Sequence, residues 1–248
     1  MTDRQRVVVI GCGGIGKALL PPLLRYLNFD PDHQWRVILV DGDTYEDKNA
    51  IRQAFVTLGN KAETSRDEFI PLFPNVLIEA VPKYVAGAGD TVTTQHEGLT
   101  VFVSDLIQEN DTVFLCVDNH KTRLNVSKHC QTLKNVRLIS GGNGITDGNV
   151  QIYVRRNGKD LFQPIEMVHS EIAQSKSAKA PHEMSCEELA TSGTPQVLFA
   201  NLYAATLMCC AFYAELQRQN SAGEIFFSIV KVGTAAGPAA VPFERKVK

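Results

Sequence analysis

Residues 6–17 read Arg6-Val7-Val8-Val9-Ile10-Gly11-Cys12-Gly13-Gly14-Ile15-Gly16-Lys17. The unbroken β-branched run before Gly11 predicts a strand covered on both faces, because a half-exposed strand would alternate apolar with polar residues. Gly11, Gly13 and Gly16 then follow the Gly-x-Gly-x-x-Gly spacing, and Gly14–Tyr26 reads as a helix. Glycines there allow a tight turn and a close approach to phosphate. The helix start adds unpaired N–H groups and partial positive charge. Strand, turn and helix in this order predict a nucleotide crevice in a parallel sheet.

The same alternation continues outward. Trp35–Val40 is a second buried strand, Asn60–Phe69 a polar helix, Leu77–Tyr84 a third strand and Asp111–Val117 a fourth. Asn119 is a suitable N-cap for a helix through Leu133. Val136–Ser140 and Asn149–Arg155 are further strands around a turn rich in Gly and Asn. Pro21 and Pro22 predict a kink or an interrupted turn in the first helix. Ala86–Ser104 is loop-like, with room for an edge hairpin. From Asn157 to Gly193 no periodicity is visible, and a loop this long is usually functional or disordered. A long helix, Pro195–Gln219, a strand, Ile225–Val232, and a Gly/Ala/Pro tail complete the chain.

The fold class expected is α/β, a Rossmann-like, doubly wound, mainly parallel sheet with a long irregular crossover loop and a C-terminal helix. Residues 1–156 form the nucleotide-binding portion, and residues 157–248 complete the same domain.

Composition narrows the function. The 248 residues carry a net charge of -2, with 44% hydrophobic and 21% charged residues. That balance gives no electrostatic case for nucleic acid or an anionic membrane. The start runs directly into the first strand without a signal peptide, so a cytoplasmic protein with reduced thiols is expected. Val197–Leu216 is strongly apolar but contains Asn201, Thr206 and Glu215, which favours a buried core or subunit-contact helix over a membrane span. None of the six cysteines forms a Cys-x-x-Cys pair, so no structural zinc is expected.

The second strand leads into Asp41-Gly42-Asp43, and Asn49, Arg52, Gln53 and Lys61 follow within twenty residues. Asp41 stands where an acid accepts hydrogen bonds from ribose hydroxyls. A nicotinamide dinucleotide site needs that acid and nothing more, so an NAD(P)-dependent oxidoreductase explains the loop but not the cluster. A Walker-type loop fails because Ala18 stands where a hydroxyl would ligate magnesium. Attack on the α-phosphate of ATP does call for such groups: cations stabilise the attacked polyanion and the departing pyrophosphate, and Arg52 offers a planar fork of donors. Asp118, ending the fourth strand, is placed to hold Mg2+.

These motifs together, Gly-x-Gly-Gly-x-Gly, Asp-x-Asp, Asn-x-x-Arg-Gln, a lysine and then Asp-Asn after a strand, resemble the ThiF/MoeB/HesA family, bacterial relatives of ubiquitin-activating enzymes. Gly141, Gly142 and Gly144 with the next strand are similar to the family's fifth and sixth strands. The resemblance implies ATP- and magnesium-dependent adenylation of the C-terminal glycine of a small ubiquitin-like or sulfur-carrier protein, by a homodimer. It implies that Gly11, Gly13, Gly14 and Gly16 cradle phosphate, that Asp41 holds ribose and that Asp43 lies beside it. Asn49, Arg52 and Gln53 would contact phosphates, Lys61 the β and γ groups, and Asp118, followed by Asn119, the metal.

Cys186, in the irregular segment, is placed like the cysteine that accepts the activated carrier in some members. A thiolate suits that transfer, although Glu183, Glu187 and Glu188 would raise its pKa and His182 would oppose them. His169 and His182 read as polar loop residues. A non-catalytic nucleotide-binding partner of an adenylating heterodimer is the remaining alternative.

Overall fold

The computed structural model describes residues 4–47, 55, 57–90, 98–174, 198–232, 235–236 and 239–243. Its central element is a nine-stranded sheet. The strands are β1 (Gln5–Ile10), β2 (Trp35–Val40), β3 (Val76–Val81), β4 (Thr112–Leu115), β5 (Val136–Asn143), β6 (Asp147–Arg156), β7 (Glu224–Ser228) and β8 (Ala239–Phe243). A two-residue strand, Lys159–Asp160, adds to β6. Across the sheet the order is β8-β7-β6-β5-β4-β1-β2-β3.

The five strands β3, β2, β1, β4 and β5 are parallel. Val8 pairs with Ile38 on one side and Val113 on the other. Beyond β5 the pairing turns antiparallel, through β6 and β7 to β8. The chain crosses from one side of the sheet to the other between β1 and β4. That reversal opens a crevice at the carboxyl ends of these two strands.

Successive residues of β1 point to opposite faces, and each face carries its own core. Val7 and Val9 pack with Leu19, Leu23 and Leu27 of α1 (Gly14–Asn28) and with Met208 and Phe212 of α4 (Leu198–Leu216). Val8 and Ile10 pack with Leu124, Val126 and Cys130 of α3 (His120–Cys130). Trp35 and Phe114 meet the Phe212 ring edge-on, with centroids 6.0 and 5.5 Å away. The helix α2 (Lys61–Phe69) contributes Ala62 and Phe69 to the first core.

Several elements depart from the sequence expectation. The helix α1 runs unbroken through Pro21 and Pro22. Both prolines lie on its exposed face, while Leu19, Leu20, Leu23 and Leu24 are buried on the other. Packing of that apolar face outweighs two missing backbone donors. The third strand stops at Val81, and Tyr84–Ala86 instead pairs with Thr100–Phe102, in parallel and not as a hairpin. The helix after Asn119 ends at Cys130, three residues earlier than expected. The tail carries a strand, Ala239–Phe243, on β7. The Ile225–Val232 run divides: β7 ends at Ser228, and Lys231–Val232 pairs with Ala235–Ala236.

The apolar helix α4, at mean hydropathy 1.3, is long enough to cross a membrane. Its inner face is buried on α1 and the sheet, through Ala204, Ala205, Met208 and Phe212 among others. Its outer face leaves Phe199, Leu202 and Tyr213 exposed.

Candidate functional site

The glycine turn lies at the mouth of the crevice. Gly11 has φ +94°, and a Cβ there would press on the Cys116 carbonyl at 2.8 Å. A Cβ on Gly16 would overlap the Gly11 carbonyl oxygen. Both positions therefore demand glycine. Gly13 caps α1 without any side-chain hydrogen bond, and no acid occupies the first turn. The helix start thus offers its N–H groups and partial charge to an anion.

Asp41 follows β2 and holds this turn in place. Its Oδ2 accepts the Cys12 N–H at 2.7 Å, and its Oδ1 accepts the Asp43 N–H at 2.9 Å. Each oxygen keeps lone-pair capacity for a ribose hydroxyl. Burial pushes the Asp41 carboxyl above its usual range; Lys61 opposes the shift and Asp43 adds to it.

Asp43 accepts hydrogen bonds from Tyr84 Oη at 2.8 Å and from Lys61 Nζ at 3.1 Å. Lys61 opens α2, whose N-cap Asn60 accepts from the Ala62 and Glu63 N–H groups. The same Asn60 amide donates to the Asp41 and Asp43 carbonyls, which fixes the start of α2 against the β2 loop. Burial pulls the Lys61 ammonium down, but Asp41, Asp43 and Asp118 outweigh it, and its pKa stands above the ordinary lysine value. Lys61 is therefore a fixed cation facing three carboxylates.

On the other wall, β4 ends before Asp118, which is exposed. No hydrogen bond or ion pair joins its carboxylate to any described residue. A carboxylate oxygen at a strand end suits Mg2+, which takes one or two carboxylates and completes its shell with water and phosphate. Among the described residues no cluster of three His, Cys, Asp or Glu side chains could hold a metal alone. Asn119 caps α3 through the Thr122 N–H at 2.7 Å, so its side chain is committed to the helix.

Arg123, buried in α3, braces this wall. Its guanidinium donates to the carbonyls of Val117 at 2.8 Å and Gly141 at 2.7 Å, and to Ser140 Oγ at 3.0 Å. It ties the end of β4, just before Asp118, to β5. Sequence reading missed Arg123; its position five residues after Asp118, one turn into a capped helix, is the signal that would have found it. Tyr45 was missed too: it is buried and donates to the Cys12 carbonyl at 2.7 Å.

Lys17, the residue that made the Walker pattern a near miss, faces away. It is buried, pairs with Glu68 at 2.5 Å and lies 4.7 Å from the centroid of Phe69. Asn49, Arg52, Gln53 and Cys186 lie outside the described residues, as does His182. His169 links two short helices, Ile165–Val168 and Ser170–Gln174, and is half-buried. It sits between Glu224 at 2.8 Å and Glu171 at 2.9 Å, and its hydrogen bond to the buried Glu224 raises its pKa.

Several solved structures share the fold. Escherichia coli MccB with ATP is 19% identical, with TM-score 0.61; the match covers 98% of this chain and 64% of that one. MccB with AMPCPP and selenomethionine MccA is 17% identical, with TM-score 0.61, covering 98% and 65%. Selenomethionine PaaA is 15% identical, with TM-score 0.62, covering 96% and 64%. The chain thus spans about 65% of the length of the solved chains it matches. No curated protein sequence matches it significantly. The model of the ThiF family matches residues 2–227, nearly the whole length, and the chain belongs to that family.

Proposed function

We propose that this protein adenylates the carboxyl terminus of a peptide or small protein at the expense of ATP. The observation that carries the reading is the crevice at β1 and β4. There a helix start without a side-chain cap, the fixed cation Lys61 and the exposed carboxylate of Asp118, which has no partner among the described residues, meet in a ThiF-family chain. The MccB structures with ATP and with AMPCPP and MccA support the same pairing of nucleotide with a peptide.

In this reading the substrate carboxylate attacks the α-phosphorus of ATP. A carboxyl–phosphate bond forms, the bond to pyrophosphate breaks, and no proton moves because the nucleophile is already ionised. The glycine turn from Gly11 to Gly16 receives phosphate, and Asp41 accepts the ribose hydroxyls. Lys61 exchanges Asp43 for the outer phosphates, and Asp118 holds Mg2+. That ion, when bound, neutralises phosphate oxygen charge. Catalysis rests on positioning and charge.

Arg52, with Asn49 and Gln53, serves the phosphates; as a second step the Cys186 thiolate attacks the acyl carbon, forming a thioester as the acyl–phosphate bond breaks and AMP leaves. The partner is a ubiquitin-like or sulfur-carrier protein ending in glycine, and the enzyme is a cytoplasmic homodimer. Residues 1–156 bind the nucleotide and residues 157–248 complete the same adenylation domain.

Exchange of radiolabelled pyrophosphate into ATP, with candidate carriers and magnesium, tests the reading. Exchange that requires magnesium and vanishes in Arg52→Ala and Asp118→Ala supports it. Binding of NAD in preference to ATP would overturn it.

A further inference from the structure

Beside the glycine turn, two carboxamides are left incompletely bonded. Asn201 of α4 is fully buried and packs on Gly14, the first residue of α1, so closely that a Cβ on that glycine would overlap its Nδ2. Asn143, the last residue of β5, donates from Nδ2 to Asn201 Oδ1 at 3.0 Å. The second hydrogen-bonding atom of each amide, Asn201 Nδ2 and Asn143 Oδ1, is buried with no partner among the described residues.

An unpaired buried amide group costs about 1–3 kcal/mol. An apolar helix such as α4 could fill the same space with leucine or alanine and avoid that loss. The mutual bond uses one donor and one acceptor. If both amides are turned over, one free N–H and one free C=O still remain. The pair therefore always offers one donor beside one acceptor. A bare carboxylate, acceptor only, satisfies half of it. A peptide group, with C=O and N–H, satisfies both.

The location, against the first residue of α1, fits an acyl group in the adenylation reading. An anion received at the start of α1 would lie beside Gly14, and in an acyl-adenylate the acyl carbon is two bonds from the phosphorus. Asn143 is only half-buried, so a turn of its side chain opens the pair to the crevice.

We infer that Asn143 and Asn201 form an acyl subsite that recognises the last peptide group of the substrate, making the site selective for peptidyl carboxylates over other carboxylic acids. This rests on the adenylation reading above and assigns the residues that would read its substrate. Asn201 Nδ2 donates to the peptide C=O, and Asn143 Oδ1 accepts its N–H.

Two stable analogues of the intermediate test the assignment: N-acetylglycyl-sulfamoyl-adenosine, and its acetoxyacetyl counterpart in which an ester oxygen replaces the amide N–H. Calorimetric titration of the whole chain should give the amide analogue about tenfold tighter binding than the ester. Asn143→Ala should bring that ratio near one, because it removes the acceptor that tells the two apart. Asn201→Ala, which loosens the pair, should weaken both ligands and lower the ratio as well. Each ratio compares two ligands on one variant, so a general loss of stability does not produce it. Equal binding by the unaltered chain, or a ratio that survives Asn143→Ala, overturns the subsite. If ATP binds and the two analogues are not distinguished, the subsite alone falls. If neither ATP nor either analogue binds, the adenylation reading falls with it.

Discussion

The two walls of the crevice are built on opposite plans. On the β2 side the charged groups are already engaged: Asp41 with two backbone N–H groups, Asp43 with Tyr84 and Lys61. On the β4–β5 side Asp118 stands exposed with no partner among the described residues, where Asn143 and Asn201 also each keep an unpaired atom. The first wall is pre-organised and can be described as structure in its own right. The second leaves groups open to a ligand. Substitution of the engaged groups should therefore change stability along with activity, and substitution of the exposed Asp118 mainly activity.

The largest effect belongs to the second wall. Asp118→Asn should lower pyrophosphate exchange by about 100-fold or more, while thermal denaturation shows a Tm close to that of the unaltered chain. A fall in Tm matching the loss of exchange would erase the contrast between the walls.

Arg123→Met comes next, because the brace behind Asp118 is structural. It strands the Val117 and Gly141 carbonyls, at a cost of about 2–3 kcal/mol in urea denaturation. Asn60→Ala removes an N-cap that also holds the β2 loop; about 1–2 kcal/mol of stability should go, with a raised KM for ATP. Tyr84→Phe removes one hydrogen bond to Asp43 and should cost about 1 kcal/mol.

The smallest effect is a pH dependence at the far end of the sheet. The hydrogen bond that His169 donates to the Glu224 carboxylate raises the His169 pKa above its unfolded value. Its contribution to stability is therefore fully present below the unfolded value, about 6.5, and is lost as pH rises through the higher folded one. Denaturation midpoints across that interval should fall for the unaltered chain and stay flatter for His169→Gln.

The sequence made the first wall legible and left much of the second dark. Val7–Ile10, the glycine spacing and the Trp35–Val40 run are local signals, set by sterics and burial within a few residues, and the structure follows them. Asp41 and Lys61 were visible because their charges cluster near that turn. Arg123 and Asn201 act across separations of 18 and 58 residues, onto Gly141 and Asn143, and no local pattern records such a contact. A polar residue inside the apolar α4 run was the one trace that Asn201 left. The two prolines misled because local backbone chemistry was outweighed by the buried leucines on the opposite face.

One consequence follows from the Asp41 carboxylate, which accepts an N–H from each of the first two strand-to-helix loops. Neither loop can shift without loading the other through that shared anchor. In the proposed reading, a ligand seated on the glycines would be reported to Asp43 and Lys61, and the register between the inner and outer phosphate contacts would be set before any nucleotide arrives.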